Sequence, residues 1–408
     1  MALPQSLVLT DEAYETLVTN YKYLHQHPEL SMAEHQTVQW LEEQFTALGL
    51  ETFRCAGTGL VAVLKNGEGP TVGYRADTDG LPVREDTGLD YASTATALTV
   101  EGEEHPAMHA CGHDTHMSMA LATATLFANA KDTWSGTLVF ILQPGEETAA
   151  GAKAMVEDGL WDKAPKAEIV YGQHVMGFQA GKATIVPGAA MAMADSWKVT
   201  VKGRGSHGSM PEAAIDPIVA GAAMVTRLQT VVSREIGAKD TAVVTIGTFH
   251  AGVKENVIPD QAVFTLNVRT FTPKVREKVL GAIERIIKAE AAASGAPEPL
   301  IEEISRFPMC FNDPAESEKF LGEAQQELGE EAVQIGQSLM GSEDVGALAD
   351  ALGVPLVYWM LGGFELDQHS EENPVPGNHS PFFAPVIDPT LRTGVRLATT
   401  ALYSKLGK

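Results

Sequence analysis

Between Met108 and His116 the chain reads MHACGHDTH, setting one of its three cysteines among three histidines and an aspartate. Thiolate, imidazole and carboxylate are the donors that hold divalent transition metals. The same run also suits a helix start whose buried cysteine is inert, and it contains neither a CxxC nor an HExxH spacing that would separate the two readings. Other candidates lie further along. Glu146-Glu147 follow an apolar stretch and a Pro-Gly turn, so one carboxylate could bind metal while its neighbour acts as general base; a solvated acidic pair is the plain alternative. His174 follows the apolar Ile169–Gly172, His379 lies in PGNHSP, and Asp77 and Asp79 lie in RADTDGLP, where an Asx-turn would also explain them.

The elements that must position these residues alternate. Asp11–His25, Met32–Leu48 and Met117–Ala130 have helical periodicity. Gly59–Leu64, Thr71–Arg75, Gly136–Leu142 and Ile169–Gly172 read as compact apolar strands, of the kind buried on both faces. Three of them end at Asp77/Asp79, Glu146/Glu147 and His174, and the carboxyl ends of strands are where sites form in open α/β sheets. After Val186-Pro187-Gly188 a strand (Asp195–Lys202), a helix (Asp216–Val232), two strands (Thr241–Phe249, Ala262–Arg269), a long helix (Val275–Ala293) and a strand near Leu300–Ile304 give the ferredoxin-like order βαββαβ. An apolar strand (Val354–Leu361) and the polar loop around His369 and His379 resume afterwards. The expected fold is therefore α/β: a catalytic domain with a mixed, mainly parallel sheet (1–188 and 306–408), interrupted by a ferredoxin-like domain (189–305).

Composition excludes several classes. The 408 residues carry 29 Lys and Arg against 53 Asp and Glu, a net charge of −24 that disfavours nucleic acid. No apolar run reaches membrane-spanning length. Three scattered cysteines give no disulfide framework. The opening MALPQSLVLTDEAY has no basic segment before a long apolar core, so a cytoplasmic enzyme is expected.

Six motifs then occur in order: Arg75–Pro82 (RADTDGLP), Met108–Asp114 (MHACGHD), Gln143–Glu147 (QPGEE), Gly205–Gly208 (GSHG), Asn256–Pro259 (NVIP) and Gly341–Asp344 (GSED). Together they resemble the binuclear-metal amidohydrolases that include hippurate hydrolase, bacterial aminoacylases and the indole-acetyl-amino-acid hydrolases of plants. The resemblance runs from about Tyr21 to Leu402, and the inserted βαββαβ unit matches that family's lid domain.

The resemblance implies that Cys111, His113, Glu147, His174 and His379 are metal ligands and that Glu146 is the catalytic carboxylate. It implies two divalent ions (zinc, manganese, cobalt or nickel), about 3.5–4 Å apart, that lower the pKa of a shared water to about 7. Glu146 would take that water's proton and pass it to the departing amine. On the lid, His207 would stabilise the oxyanion, and Asn256 and Arg269 would hold the substrate carboxylate, Arg269 through its fork of donors. Asp79 orients a ligand, and His109, Asp114 and His116 support the site or cap a helix. The implied reaction is hydrolysis of N-acyl amino acids, small-molecule substrates. A carboxypeptidase or dipeptidase would use the same centre, and a non-catalytic thiol or metal-binding protein is the alternative of another class. Homodimerisation is left open, with the lid as the surface that could carry it.

Overall fold

The computed structural model describes residues 3–408, which form two compact units: one of residues up to Ala190, Cys310–Ser338 and Asp344–Lys408, the other of Met191–Met309 and Leu339–Glu343.

The first unit is built on an eight-stranded sheet in the order Glu51–Cys55, Gly59–Asn66, Gly136–Gln143, Thr71–Asp77, Ile169–Gln179, Leu356–Phe364, Ala183–Ile185, Val333–Ile335. Its centre is parallel: Thr71–Asp77 pairs in parallel with both neighbours, and Ile169–Gln179 does so with Leu356–Phe364. Strands that run the same way end on the same edge, so Asp77, Gln143 and His174 reach one side of the sheet. The central strands are buried along almost their whole length, which is why they read as unbroken apolar runs rather than as alternations.

Against the sheet lies the helix His113–Asn129, thirteen of whose residues are buried. A helix apolar nearly all round is a buried one, and the Ala and Thr of this one keep its surface low for close packing. Gly112 precedes it at φ 82, and a Cβ there would lie 2.3 Å from Val175 Cγ1. The turn between Cys111 and His113 therefore requires glycine.

The sequence and the structure differ at element ends. The helix expected from Met32 begins at His35, because Met32 has a left-handed φ of 61 and the Glu34 side chain bonds elsewhere. The strand from Ile169 continues through His174 to Gln179, so His174 is a strand residue and not a loop residue. The edge strand Glu51–Cys55, too exposed to read as an apolar run, has no counterpart in the expected elements.

The helix Asp11–Gln26 is joined to the helix at His113 by a buried charge cluster: His25 Nδ1 lies 2.7 Å from Asp114 Oδ2 and Nε2 lies 3.0 Å from Glu85 Oε1. Burial pulls the His25 pKa down, but the two carboxylates outweigh it and raise it to about 9. A histidine raised from its unfolded value of about 6.5 stabilises the fold fully below that value, and the contribution is lost as pH rises through the folded value. Unfolding free energy should therefore fall by about 3 kcal/mol between pH 6.5 and 9.5 relative to His25→Gln, measured by denaturant titration of both proteins. A difference that stays constant with pH would show that His25 is neutral in the folded protein.

The second unit is a four-stranded antiparallel sheet in the order Ala242–Ala251, Gln261–Thr270, Met193–Lys202, Leu300–Phe307, with helices Pro217–Leu228 and Pro273–Ala293. This is the ferredoxin-like arrangement. Each helix starts on a side-chain cap, Asp216 or Thr272, followed by proline, the residue that tolerates the first helical turn. Along Gln261–Thr270, Ala262, Phe264, Leu266 and Val268 are buried in the unit's core. The period of two puts Val263, Thr265, Asn267 and Arg269 on the opposite face.

Candidate metal centre

Cys111, His113 and His174 bring their ligating atoms within 4.8 Å of one another, as do Cys111, Glu147 and His379, and as do His113, Glu146 and Glu147. The three groups share Cys111, His113 and Glu147, which link all five expected ligands and Glu146 into one cluster.

The imidazoles are held in defined tautomers. His113 Nδ1 donates to the Asp79 carbonyl at 2.8 Å, with Asp79 Oδ1 3.2 Å away, and His174 Nδ1 donates to the Val175 carbonyl at 2.8 Å. In both rings Nε2 is left free of these bonds and turned inward. His174 Nε2 lies 3.5 Å from Cys111 Sγ, and His379 Nε2 lies 3.2 Å from Glu147 Oε2. His379 takes a left-handed φ of 72, with its N–H on the Ala110 carbonyl at 2.7 Å, a backbone choice that aims a non-glycine side chain at some conformational cost. Asn378 lies beside it and donates to the Val175 carbonyl, 3.6 Å from Cys111 Sγ.

A pair of divalent ions fits this donor set. His113 Nε2 and Glu147 Oε1 are buried, face each other at 3.9 Å and make no hydrogen bond. Buried polar atoms without partners are rare and call for an explanation; here both are good metal donors. Burial, together with Glu147, Glu146 and Asp77, pushes the Cys111 thiol well above its usual range, and only a strong positive charge would turn it into a thiolate ligand. Burial and the neighbouring His116 hold His174 well below the usual histidine range, which keeps it a neutral lone-pair donor. At His113, burial is outweighed by Asp77, Asp79 and Glu147, which raise it to about 10.

Around this centre lies a buried polar framework. Arg75, wholly inside the unit, donates to Asp77 Oδ2 (2.6 Å), Gln143 Oε1 (2.9 Å), Tyr358 Oη (3.3 Å) and Asp344 Oδ1 (3.3 Å). Asp77 Oδ1 accepts from His116 Nδ1 at 2.6 Å, and His116 Nε2 accepts the Val175 N–H at 2.9 Å. Asp77 and His116 thus steady the His174 strand end, and they do so as partners of other side chains. Asp344 accepts from Gln143 Nε2 (2.6 Å) and from the Ala152 N–H (3.0 Å), bracketing the loop that carries Glu146 and Glu147. Asp114 is engaged with His25. His109 is buried with neither ring nitrogen hydrogen-bonded, and nothing in the structure explains its place there.

The other three expected residues belong to the second unit. His207 and Asn256 flank a two-residue pairing in which Ser206 and His207 oppose Ile258 and Val257, and both are exposed. His207 Nδ1 accepts the Ser209 N–H at 3.2 Å, with Ser209 Oγ at 2.7 Å, so its ring proton belongs on Nε2. Arg269 donates from Nε to Asn267 Oδ1 (2.7 Å) and from Nη1 to Ser342 Oγ (3.0 Å) and the Met340 carbonyl (3.2 Å). Each edge of its fork is therefore partly engaged within the protein, through Nε and Nη1. Ser209 and Asn267 lie outside the motifs and were not legible as contributors, and Ser342 lies in the GSED motif, which did not show that it would accept from Arg269.

Residues 73–402 match peptidase family M20/M25/M40. The chain is 38% identical to hippurate hydrolase of Campylobacter jejuni over 328 residues, 79% of this chain and 82% of that one. It is 35% identical to N-acetylcysteine deacetylase of Bacillus subtilis, over 88% and 92% of the two chains. Among solved structures, a dinuclear metal binding peptidase of the M20 family from Bacillus subtilis superposes with a TM-score of 0.77 at 28% identity, covering 97% of this chain and 99% of that one. The family suggested by six short motifs is thus the one matched along most of the chain. The chain belongs to peptidase family M20/M25/M40 and is a hydrolase of amide bonds.

Proposed function

We propose that the protein hydrolyses the amide bond of N-acyl amino acids, with Cys111, His113, Glu147, His174 and His379 holding two divalent ions and Glu146 as general base. The observation that carries this reading is the clustering of these six side chains in overlapping groups, with two imidazole Nε2 atoms turned inward. When bound, the ions would polarise the scissile carbonyl and make water acidic enough to attack near neutral pH. Glu146 accepts the attacking water's proton and returns it to the leaving amine, giving a carboxylic acid and an amino acid. His207, protonated on Nε2, offers the donor that a developing oxyanion needs. Asn256 and the Nη2 side of Arg269 hold the substrate's carboxylate. The second unit acts as a lid, and its closure excludes water; it is also the surface we assign to any homodimer. The three cysteines are free and buried, which suits a reducing compartment, and we place the enzyme in the cytoplasm. Among the described residues no helix is long and apolar enough to cross a membrane.

The test is metal analysis of the purified protein paired with assays on hippurate, N-acetyl amino acids and dipeptides under added zinc, manganese, cobalt or nickel. Turnover of the N-acyl amino acids is expected. Activity confined to dipeptides would overturn this reading in favour of a peptidase.

A further inference from the structure

Glu146 is held in place by its two neighbours' backbone. The Glu147 N–H donates to Asp79 Oδ2 at 3.1 Å, an oxygen that also accepts from Ser31 Oγ at 2.6 Å. The Gly145 N–H donates at 2.8 Å to Oε1 of Glu34, a completely buried carboxyl. That same oxygen accepts the Met32 N–H at 2.9 Å, and Oε2 takes the Thr58 hydroxyl at 2.5 Å. Met32, in its left-handed conformation, packs its sulfur on Gly145: a Cβ on that glycine (φ 55) would stand 2.6 Å from Sδ. The segment continues to the neighbouring loop, where the Gly80 N–H donates to the Glu29 carbonyl at 2.7 Å. One stretch, Glu29–Glu34, thus grips both the loop after Asp77 and the loop that carries Glu146 and Glu147.

We propose that Glu34 is a positioning residue for the reaction: by accepting the Gly145 N–H it fixes the backbone entering Glu146 and so the aim of that carboxylate. The inference rests on the reading of Glu146 as general base. Gly145 is the joint where such a hold is needed, since a glycine at positive φ has no side chain of its own to restrict it. A misplacement of about 1 Å in a catalytic group lowers turnover by up to about 10²-fold, whereas substrate affinity, set elsewhere, should change little. Burial and the neighbouring Asp79 push Glu34 up to about 8. Glutamine is a close substitute by shape, with its oxygen towards Gly145 and Met32 and its amide NH₂ towards Thr58 Oγ1.

The experiment compares Glu34→Leu, Glu34→Gln and Glu34→Asp in the full-length, metal-loaded protein on hippurate, with Glu146→Gln as control. Metal content and amide exchange of segment 143–147 are measured alongside. Glu34→Leu should lower kcat about tenfold to a hundredfold, leave KM within about twofold, keep its metal and speed exchange of the segment. Glu34→Gln should remain near wild type. A folded Glu34→Leu with wild-type kcat and exchange overturns the proposal, and so does Glu34→Gln failing as badly as leucine. Should leucine prevent folding, Glu34→Asp decides: one methylene short of Gly145, it must lower kcat, and unchanged kcat overturns the role. If Glu146→Gln keeps full kcat, the general-base reading itself falls. If that control is inactive while Glu34→Leu is not, the role of Glu34 alone falls.

Discussion

Glu146→Ala should lower kcat by about 10²–10⁴-fold, the range that general acid–base catalysis supplies, with the metal content of the purified protein unchanged. The side chain is buried beside His113 and Glu147, and its backbone is anchored on both sides, so alanine removes the proposed proton acceptor and leaves the five proposed ligands in place. Steady-state kinetics on hippurate and elemental analysis of the same preparation check the two halves together. Retained turnover would show that Glu146 is not the general base. Loss of metal along with activity would make Glu146 a ligand.

Arg75→Leu should lower the unfolding free energy by about 3–5 kcal/mol, the cost of removing one partner from a buried ion pair. Asp77, itself completely buried, is kept well below the usual carboxylate range: burial raises it, but Arg75, His113 and His116 outweigh that. Without the guanidinium, Asp77 and Asp344 would remain as buried carboxylates, and Gln143 Oε1 would lose its donor. Asp77 would then take up a proton and loosen its hold on His116, which supports the strand end at His174. Denaturant unfolding of both proteins at pH 7 measures the loss, and a change below about 1 kcal/mol would show that the network contributes little. Lysine should not rescue the position, because one ammonium cannot serve four acceptors spread around a planar fork.

Glu34 and Arg75 also show where reading the chain falls short. The proposed ligands announce themselves by residue type, since cysteine, histidine and paired carboxylates at the ends of apolar strands have a chemical reason to be noticed. Arg75 looks like the last residue of a strand, and Glu34 like a helical position on a surface. Both are wholly buried, and burial depends on what packs over a residue from elsewhere in the chain. His174 shows a smaller shortfall: the apolar run marks its strand, but the strand continues past the point where apolarity stops, because ladder pairing with Leu356–Phe364 extends it.

By itself the sequence determined the parallel core strands through their unbroken apolar runs, the βαββαβ unit through its periodicities, and the donor types of the metal centre through MHACGHDTH, QPGEE and the two later histidines. These are local properties, set by backbone period and side-chain chemistry. Tertiary structure alone decided which nitrogen of His113 and of His174 faces inward, that Arg269 has Nε and Nη1 already engaged, and that Glu34 and Asp79 hold the amides on either side of Glu146. Most of these depend on hydrogen-bond partners distant in sequence, such as Asp79 for His113, Gly145 for Glu34 and Ser342 for Arg269. Only chain packing brings such partners within 3 Å or so, and no spacing along the sequence encodes it.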